Sequence, residues 1–158
     1  MFNLENSKVY WLISHDMDPK AQKLADRHYS RKTPGSTKGF MGPGEKLVLL
    51  SPSGDALFTW LRSRANYRGD KIEGVNCQIF RNEGHELSSR LILEAEKFAW
   101  QKWPGLLLFT YVSTSKVQSK MPGWCFMKAG WKLRGYNRTG KLKLFFKLPK
   151  NEMEESTW

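Results

Sequence analysis

The sequence predicts a single mixed α/β (α+β) domain in which a central mixed sheet is flanked by helices. The chain has 158 residues, the usual size of one hydrophobic core. Its hydrophobic content of 40% is enough to fill such a core without disulfides or metals. Short apolar runs typical of strands alternate with helical patterns, and no linker divides them. We therefore expect one domain over residues 1–150, followed by an acidic tail at 151–158.

The first half of the chain predicts a strand, a helix, a long basic loop and a hairpin. Residues 8–14 (KVYWLIS) have the composition of a short strand. Asp18 can cap a helix over 19–28, with Pro19 at its first position. The following segment to residue 39 is too rich in Gly, Pro and Ser to be regular. Residues 45–51 and 56–67 then pair as a hairpin through the turn at 52–55.

The second half predicts a β–loop–α–β unit over residues 74–112. Residues 74–80 (GVNCQIF) form a strand, and 87–103 form a helix whose apolar residues recur at helical spacing. Pro104 and Gly105 end that helix. Residues 106–112 (LLLFTYV) are almost entirely apolar, as expected of a central strand that is covered on both faces. A short helix near residue 124 and two extended segments, 131–135 and 141–148, complete the domain.

The charge of the chain points to a polyanionic partner. The net charge is +11, and residues 113–150 contain ten basic residues and no acidic one. Such a surface binds nucleic acids through counterion release, so double-stranded DNA is the predicted partner. A generally basic protein without such a partner is the alternative. The predicted phosphate contacts are Arg27, Arg31, Lys32, Lys38, Arg62, Lys132 and Arg134.

Other features of the sequence argue against several classes of protein. No stretch approaches 18 apolar residues and the first residues lack a signal-peptide pattern, which predicts a soluble, cytoplasmic protein. Cys77 and Cys125 do not form a C-x-x-C pair, so we expect small buried hydrophobes rather than ligands. The three histidines lack metal-ligand spacing, and no protein metal site is predicted from them.

The order of elements and the segment Phe126-x-Lys128-Ala129-Gly130-Trp131 resemble the GNAT N-acyltransferase family. The order of elements covers most of the chain, and the motif match covers residues 74–135. The resemblance implies a splayed sheet and an acyl-CoA whose pyrophosphate rests where a strand ends and a helix begins. It assigns that role to residues after the strand at 74–80, namely Arg81, Gly84, Ser88 and Ser89.

Two residues depart from the GNAT pattern and bear on the donor of the transferred group. Glu86 stands where the family has a small residue, and its carboxylate repels a pyrophosphate. Phe126 stands where many members carry a tyrosine that protonates the departing thiolate. We therefore expect weak acetyl-CoA binding. An aminoacyl-tRNA donor, which would suit a basic surface, stays open as an alternative, so the cofactor is unknown.

Three short strings resemble the phage Mom-type DNA-modification proteins, a divergent GNAT-like group. They are residues 27–31 (RHYSR), 40–44 (FMGPG) and 80–83 (FRNE). The resemblance implies that the protein adds a carbamoylmethyl-type group to the exocyclic amine of adenine in bacteriophage DNA, a hypermodification that evades restriction. Iron is the metal that it would imply. The alternatives are an acetyl-CoA-dependent N-acetyltransferase for a small amine or a protein, and a nucleic-acid-binding module without chemistry.

Four residues are the candidate catalytic groups: His28, Tyr29, Glu83 and Tyr111. His28 and Glu83 are the candidate acid and base, and Tyr29 and Tyr111 supply phenols. Tyr29, Phe40 or Trp60 would stack on a base that is swung out of the duplex. The alternatives are a helix-capping His28, a solvated Glu83 and a Tyr111 that only packs.

Overall fold

Seven strands form one mixed sheet in the computed structural model, which describes residues 10–31, 35, 38–116 and 121–150. The strands are β1 (Leu12–Ser14), β2 (Glu45–Leu50), β3 (Ala56–Arg62), β4 (Val75–Asn82), β5 (Leu108–Ser113), β6 (Lys132–Tyr136) and β7 (Leu142–Lys147). The helices are α1 (Pro19–Asp26), α2 (Ser88–Lys102) and α3 (Trp124–Lys128). The predicted fold class and order of elements are confirmed.

The sheet has the order β1-β2-β3-β4-β5-β7-β6, and β4 and β5 are its parallel pair. Helix α2 makes the crossover between them, as the β–loop–α–β pattern predicted. The two strands pair from Val75↔Leu108 to Cys77↔Thr110 and no further. Beyond that point β5 continues to pair with β7 on its other side, as far as Ser113↔Leu142. The sheet is therefore splayed between the second halves of β4 and β5.

A β-bulge in β4 lies beside this splay. Thr59 of β3 pairs with Ile79, but the next residue, Trp60, pairs with Cys77, so Gln78 is the extra residue. Val75 and Cys77 pack in the core on the α2 side of the sheet, whereas Ile79 packs on the α1 side. The bulge thus changes which face the later residues of the strand present.

The helices cover opposite faces of the sheet. Helix α1 begins at Asp18, whose carboxylate accepts the N–H of Lys20 at 3.0 Å, with Pro19 at the first position as predicted. Its buried residues Ala21, Leu24 and Ala25 pack with Val48, Leu50, Leu57, Leu61 and Ile79. The other face carries the larger aromatic core, which includes Trp11, Phe58, Trp60, Phe126 and Trp131 together with the apolar side of α2.

A buried carboxylate joins α2 to the C-terminal part of the sheet. Glu96 is 3% exposed; its two oxygens accept the indole N–H of Trp131 at 2.8 Å and the ammonium of Lys147 at 2.7 Å. Lys147 Nζ also donates to the carbonyl of Ala129. Burial raises the pKa of Glu96, and the two hydrogen bonds oppose that shift. The ion pair fixes β7 and the end of α3 against α2.

Several predicted boundaries shift by a few residues. The strand predicted over 56–67 ends at Arg62, and Ala65–Tyr67 form one turn of 3-10 helix. Strand β4 extends to Asn82, because Asn82 still pairs with Ala56. Helix α1 ends at Asp26 rather than residue 28. The predicted acidic tail at 151–158 lies outside the described residues. In the part of the chain that the structure describes, no helix is long and apolar enough to span a membrane.

Candidate functional site

Two adjoining cavities lie at the splay between β4 and β5. The large cavity has a volume of about 570 Å³ and the small cavity about 120 Å³. Tyr29, Cys77, Gln78 and Tyr111 line both. The walls of the large cavity also include Arg31, Phe40, Met41, Gly42, Asn76 and Ile79. A volume of this order accommodates a nucleoside-sized ligand.

Tyr29 lies across the splay. Its hydroxyl accepts the backbone N–H of Ser113 at 3.2 Å and donates to the carbonyl of Tyr111 at 3.5 Å. These are backbone groups of β5 on the side where β4 has moved away, so the phenol replaces part of the missing strand pairing. Burial raises the pKa of Tyr29, which keeps the hydroxyl protonated at neutral pH.

His28 stacks on Tyr29, with ring centroids 4.3 Å apart, and lines the small cavity. Burial, followed by the charge of Arg81, lowers the pKa of His28 to about 4. The imidazole is therefore neutral at physiological pH, which removes the alternative of a cationic helix cap. Its Nδ1 accepts the N–H of Ser30 at 3.2 Å, so the network assigns the ring proton to Nε2. In this state His28 presents a hydrogen-bond donor.

Glu83 joins the end of α1 to the end of β4. Its carboxylate accepts two hydrogen bonds from Arg27, at 2.7 and 2.8 Å, and an ion pair from Arg81. Arg81 also donates to the carbonyl of Arg27 at 2.8 Å. The bonds from Arg27 and then Arg81 hold the pKa of Glu83 at about 2. A carboxylate paired in this way is a poor general base near neutral pH, and its bonds join the end of β4 to the segment that carries Tyr29.

The side chain of Asn82 bonds to three polar groups of the β4–α2 turn. Asn82 Oδ1 accepts the N–H of Gly84 at 3.0 Å, and Asn82 Nδ2 donates to the carbonyl of Glu86 and to Ser88 Oγ. The N–H of Glu83 donates to the carbonyl of Asp55 at 2.8 Å. Ser88 and Ser89 open α2 behind this turn.

The β4–α2 turn does not fit a CoA pyrophosphate. The Asn82 amide engages the N–H of Gly84 that an incoming phosphate would use. The carboxylate of Asp55 lies so close to Gly84 that a Cβ there would collide with it. Glu83 and Glu86 add two further carboxylates to the same turn. The carboxylates and the engaged N–H of Gly84 oppose phosphate binding, so no step of the chemistry is assigned to CoA here.

Tyr111 is held from the other side of the cavities. Its hydroxyl donates to Asp70 Oδ2 at 2.8 Å, and Arg68 pairs with the same carboxylate at 2.7 and 2.8 Å. Burial and the bond to Asp70 raise the pKa of Tyr111 to about 12. Burial opposes ionisation of Asp70, yet the bonds from Arg68, the N–H of Ile72 and Tyr111 hold its pKa at about 2. Tyr111 is thus an oriented neutral phenol and a weak acid.

Two buried polar atoms beside the large cavity have no hydrogen-bond partner among the described residues: Asn76 Oδ1 and Arg31 Nη2. The Arg31 side chain is 8% exposed, and its Nε donates to Asp26 at 2.9 Å. Arg31 therefore lines the cavity instead of forming part of an open phosphate-binding surface. A ligand in the cavity is a natural source of the missing partners.

The other predicted phosphate contacts are spread over the surface. Lys38, Lys132 and Arg134 are exposed, and the guanidinium of Arg134 lies 5.6 Å from the ring centroid of Phe146. Arg62 forms an ion pair with Glu73, and Arg27 forms the one with Glu83 described above. Lys32 lies outside the described residues. The structure thus leaves three of the predicted contacts exposed and engages three in ion pairs.

The structure also places the two cysteines and the side chains that could bind a metal ion. Cys77 is buried, Cys125 is half-buried, and both line the small cavity. Burial raises the pKa of both thiols, which disfavours the reactive thiolate. No group of three His, Cys, Asp or Glu side chains within the described ranges is placed to hold a metal ion.

Sequence reasoning missed Asn76, Gln78 and Asp70. Asn76 and Gln78 are polar residues in an otherwise apolar strand, GVNCQIF, and asparagine is depleted in strands. That departure is the signal by which they could have been found. Asp70 lies in the segment between β3 and β4, and nothing in its local sequence indicates that it meets Tyr111 across 41 positions.

Comparison with known proteins adds information about the fold. No family model and no curated protein sequence matches the chain. Among solved structures, the chain is similar to the aminoglycoside 6'-N-acetyltransferase from Enterococcus faecium, with a TM-score of 0.56 and 12% sequence identity. The match covers 87% of this chain and 96% of that one. The splayed sheet, its flanking helices and this similarity show that the chain has a GNAT-like fold.

Proposed function

We propose that this protein is a GNAT-like transferase that modifies a DNA base, adding an acyl-derived, carbamoylmethyl-type group to the exocyclic amine of adenine. This is the activity implied by the sequence resemblance to Mom-type proteins. It would act in the cytoplasm of a phage-infected host cell. In the reaction, the exocyclic nitrogen forms a bond to the transferred carbon, and the bond between that carbon and its carrier breaks with its electron pair going to the carrier. The proton lost by the amine is taken up by the departing carrier.

The observation that carries the proposal is the large cavity. Tyr29, Phe40 and Tyr111 supply aromatic walls, and Asn76 and Arg31 supply polar groups, which together form the kind of pocket that receives a base taken out of a duplex. The cavity opens on a protein of charge +11, which attracts the DNA backbone. Apart from the charged Arg31, its polar groups are oriented and neutral, so rate enhancement comes mainly from positioning.

The acetyltransferase alternative has less support. Aminoglycosides are polycations, and an acceptor site for them needs carboxylates, whereas the described lining of the large cavity contains Arg31 and no acidic residue. The β4–α2 turn also opposes the pyrophosphate of acetyl-CoA. A donor without a pyrophosphate, such as an aminoacyl-tRNA, is compatible with the basic surface.

Mass spectrometry of nucleosides tests the proposal. DNA from cells that express the protein should contain adenine enlarged by the transferred group, and DNA from cells with the empty vector should not. Tyr29→Phe removes the hydroxyl that bridges to Ser113 and should lower the modified fraction at least about tenfold. Tyr136→Phe, at an exposed tyrosine of β6, is the matched control and should leave it unchanged. Unmodified DNA from cells that contain folded protein would contradict the proposal.

A further inference from the structure

Asn76 differs from the other buried polar residues of the sheet and core. Six polar or charged residues are buried in the described part of the chain: Ser51, Thr59, Asn76, Glu96, Thr110 and Ser113. Five of them bond within the protein through a side-chain oxygen, for example Thr110 Oγ1 to the carbonyl of Cys77 at 2.9 Å. Asn76 Oδ1 makes no such bond with any described residue.

The position of Asn76 excludes a structural role in the apolar core. It lies in the middle of the sheet, paired with Leu61 on β3 and Phe109 on β5. Its neighbours Val75 and Cys77 pack on the α2 side, so the alternation of a strand turns Asn76 to the other face, where it lines the large cavity. An apolar residue at this position would remove an unpaired buried acceptor, so a polar residue here needs another explanation.

We infer that Asn76 determines which bases the large cavity accepts, by taking a hydrogen bond from an exocyclic amine. The inference rests on the proposed function and names the residue and the chemical group that set its specificity. An asparagine oxygen accepts from the amine of adenine or cytosine while Arg31, which can only donate, faces the unprotonated ring nitrogen beside that amine. In hypoxanthine or uracil the ring nitrogen carries a hydrogen, so an Asn76 amide turned to donate to the carbonyl would leave Arg31 against an N–H. The amide rotates about a soft terminal bond, so it can turn its oxygen toward the cavity.

Arg31 supports this reading from a neighbouring wall. Its Nη2 is a buried donor without a partner among the described residues, just as Asn76 Oδ1 is a buried acceptor without one. Both side chains belong to residues that line the large cavity. An aminated base carries the complementary pair, an N–H donor and an unprotonated ring nitrogen. The guanidinium is held by Asp26 and lies 5.9 Å from the Phe40 ring centroid. Arg31 therefore stays in the cavity wall as a fixed donor.

The test is a binding titration with four duplexes that differ at one position. The test base, adenine, cytosine, hypoxanthine or uracil, faces an abasic site so that little energy is needed to extrude it. Fluorescence anisotropy at one fixed salt concentration gives each Kd. The wild-type protein should bind the adenine and cytosine duplexes about 10- to 100-fold more tightly than the hypoxanthine and uracil duplexes. Equal affinity for all four would overturn the inference without the use of any variant.

Variants locate the discrimination. Asn76→Leu, which keeps the side-chain volume without an acceptor, should bring the four affinities within about threefold of one another. Asn76→Ala should do the same if the larger leucine disturbs the fold, and thermal unfolding reports that disturbance. Asn66→Ala, at an exposed asparagine, is the matched control and should keep the full discrimination. Discrimination that persists in folded Asn76→Leu and Asn76→Ala contradicts the assignment to this residue.

The outcome is separable from that of the proposed function. If DNA is modified in cells but the four duplexes bind equally, the function stands and the role of Asn76 is wrong. If no modification occurs, saturation-transfer NMR with adenosine and inosine still decides the inference. Contact with adenosine but not inosine, lost in Asn76→Leu, supports it, and equal contact with both nucleosides contradicts it.

Discussion

The β4–α2 turn and the large cavity are neighbours in the fold, yet their asparagine side chains differ in hydrogen bonding. In the turn, the amide of Asn82 bonds to Gly84, Glu86 and Ser88. In the cavity, Asn76 Oδ1 and Arg31 Nη2 are buried without partners from the described residues. Buried polar groups are normally paired, so the two unpartnered atoms beside the cavity call for a ligand more strongly than the bonded amide of Asn82 does. The two unpartnered atoms are therefore the reason for proposing the cavity, and not the turn, as the substrate site.

Filling the cavity should have the largest effect on modification. A Cβ at Gly42 would make ordinary contacts with Leu61 and Gln78, so Gly42→Phe can place its ring in the cavity without disturbing the sheet. We expect the modified fraction of adenine to fall by about 100-fold or more, because a displaced base loses alignment with its donor. The measurement is nucleoside mass spectrometry. Gly69→Phe, where a Cβ meets no atom within 4 Å, is the control and should retain activity. Full activity in folded Gly42→Phe would contradict the proposal that the large cavity receives the base.

Removing groups of the β4–α2 turn that oppose a phosphate tests whether this turn excludes CoA. Wild-type protein should bind CoA more weakly than about 1 mM in calorimetry, a binding free energy no better than about −4 kcal/mol. The double variant Asn82→Ala/Glu86→Gly frees the N–H of Gly84 and removes one carboxylate, and should gain about tenfold in affinity. Glu94→Gln removes one charge elsewhere on α2 and should gain nothing. Micromolar binding of acetyl-CoA by the wild type would contradict the pairing argument for the turn.

Acid should destabilise the cavity side before the turn. The folded pKa of His28 is about 4, below its ordinary value of 6.5, so the unfolded chain takes up this proton first and stability falls as pH drops from 6.5 to 4. Glu83 has a folded pKa of about 2, so its contribution is present above pH 4.5 and is lost only below it. Urea midpoints measured across this range should show a shallower slope for His28→Gln than for wild type. His85→Gln, on the exposed turn, should keep the wild-type slope, and an unchanged slope in His28→Gln would contradict the prediction.

The smallest expected effect concerns Lys132 on the basic surface of the protein. If Lys132 contacts a phosphate, Lys132→Ala should weaken duplex binding a few-fold and reduce the slope of log K against log salt by about 0.9. Lys97→Ala on α2 is the control, since Lys97 is 71% exposed and lies on a helix that covers the other face. Anisotropy titrations between 50 and 200 mM salt, on the order of the range where counterion release dominates, give both slopes. Equal slopes for all three proteins would remove Lys132 from the interface.

The sequence predicted the fold better than the site because the two depend on different distances along the chain. Strand and helix patterns are local, so the elements and the β4–α2–β5 unit were predicted with boundary errors of a few residues. Arg31 could be recognised as basic, but its burial against Asp26 and beside Phe40 is a tertiary result. The bond from Tyr111 to Asp70 and the pairing of Glu83 with Arg27 join segments 41 and 56 positions apart. No local pattern encodes these contacts, which is why Glu83 resembled a free acid–base group in the sequence.

The extra residue in β4 imposes a constraint on length. Asn76 and Ile79 are three positions apart, and in a regular strand they would face opposite sides; Gln78 lets both serve the α1 side. Deleting one residue here would leave the rest of the sequence unchanged, yet it would turn the side chains of half the strand to the opposite face of the sheet. A strand can accept many substitutions at such a place, but it does not tolerate the gain or loss of a residue. The polar wall of the cavity is thus specified by an interval along the chain as much as by the residues that occupy it.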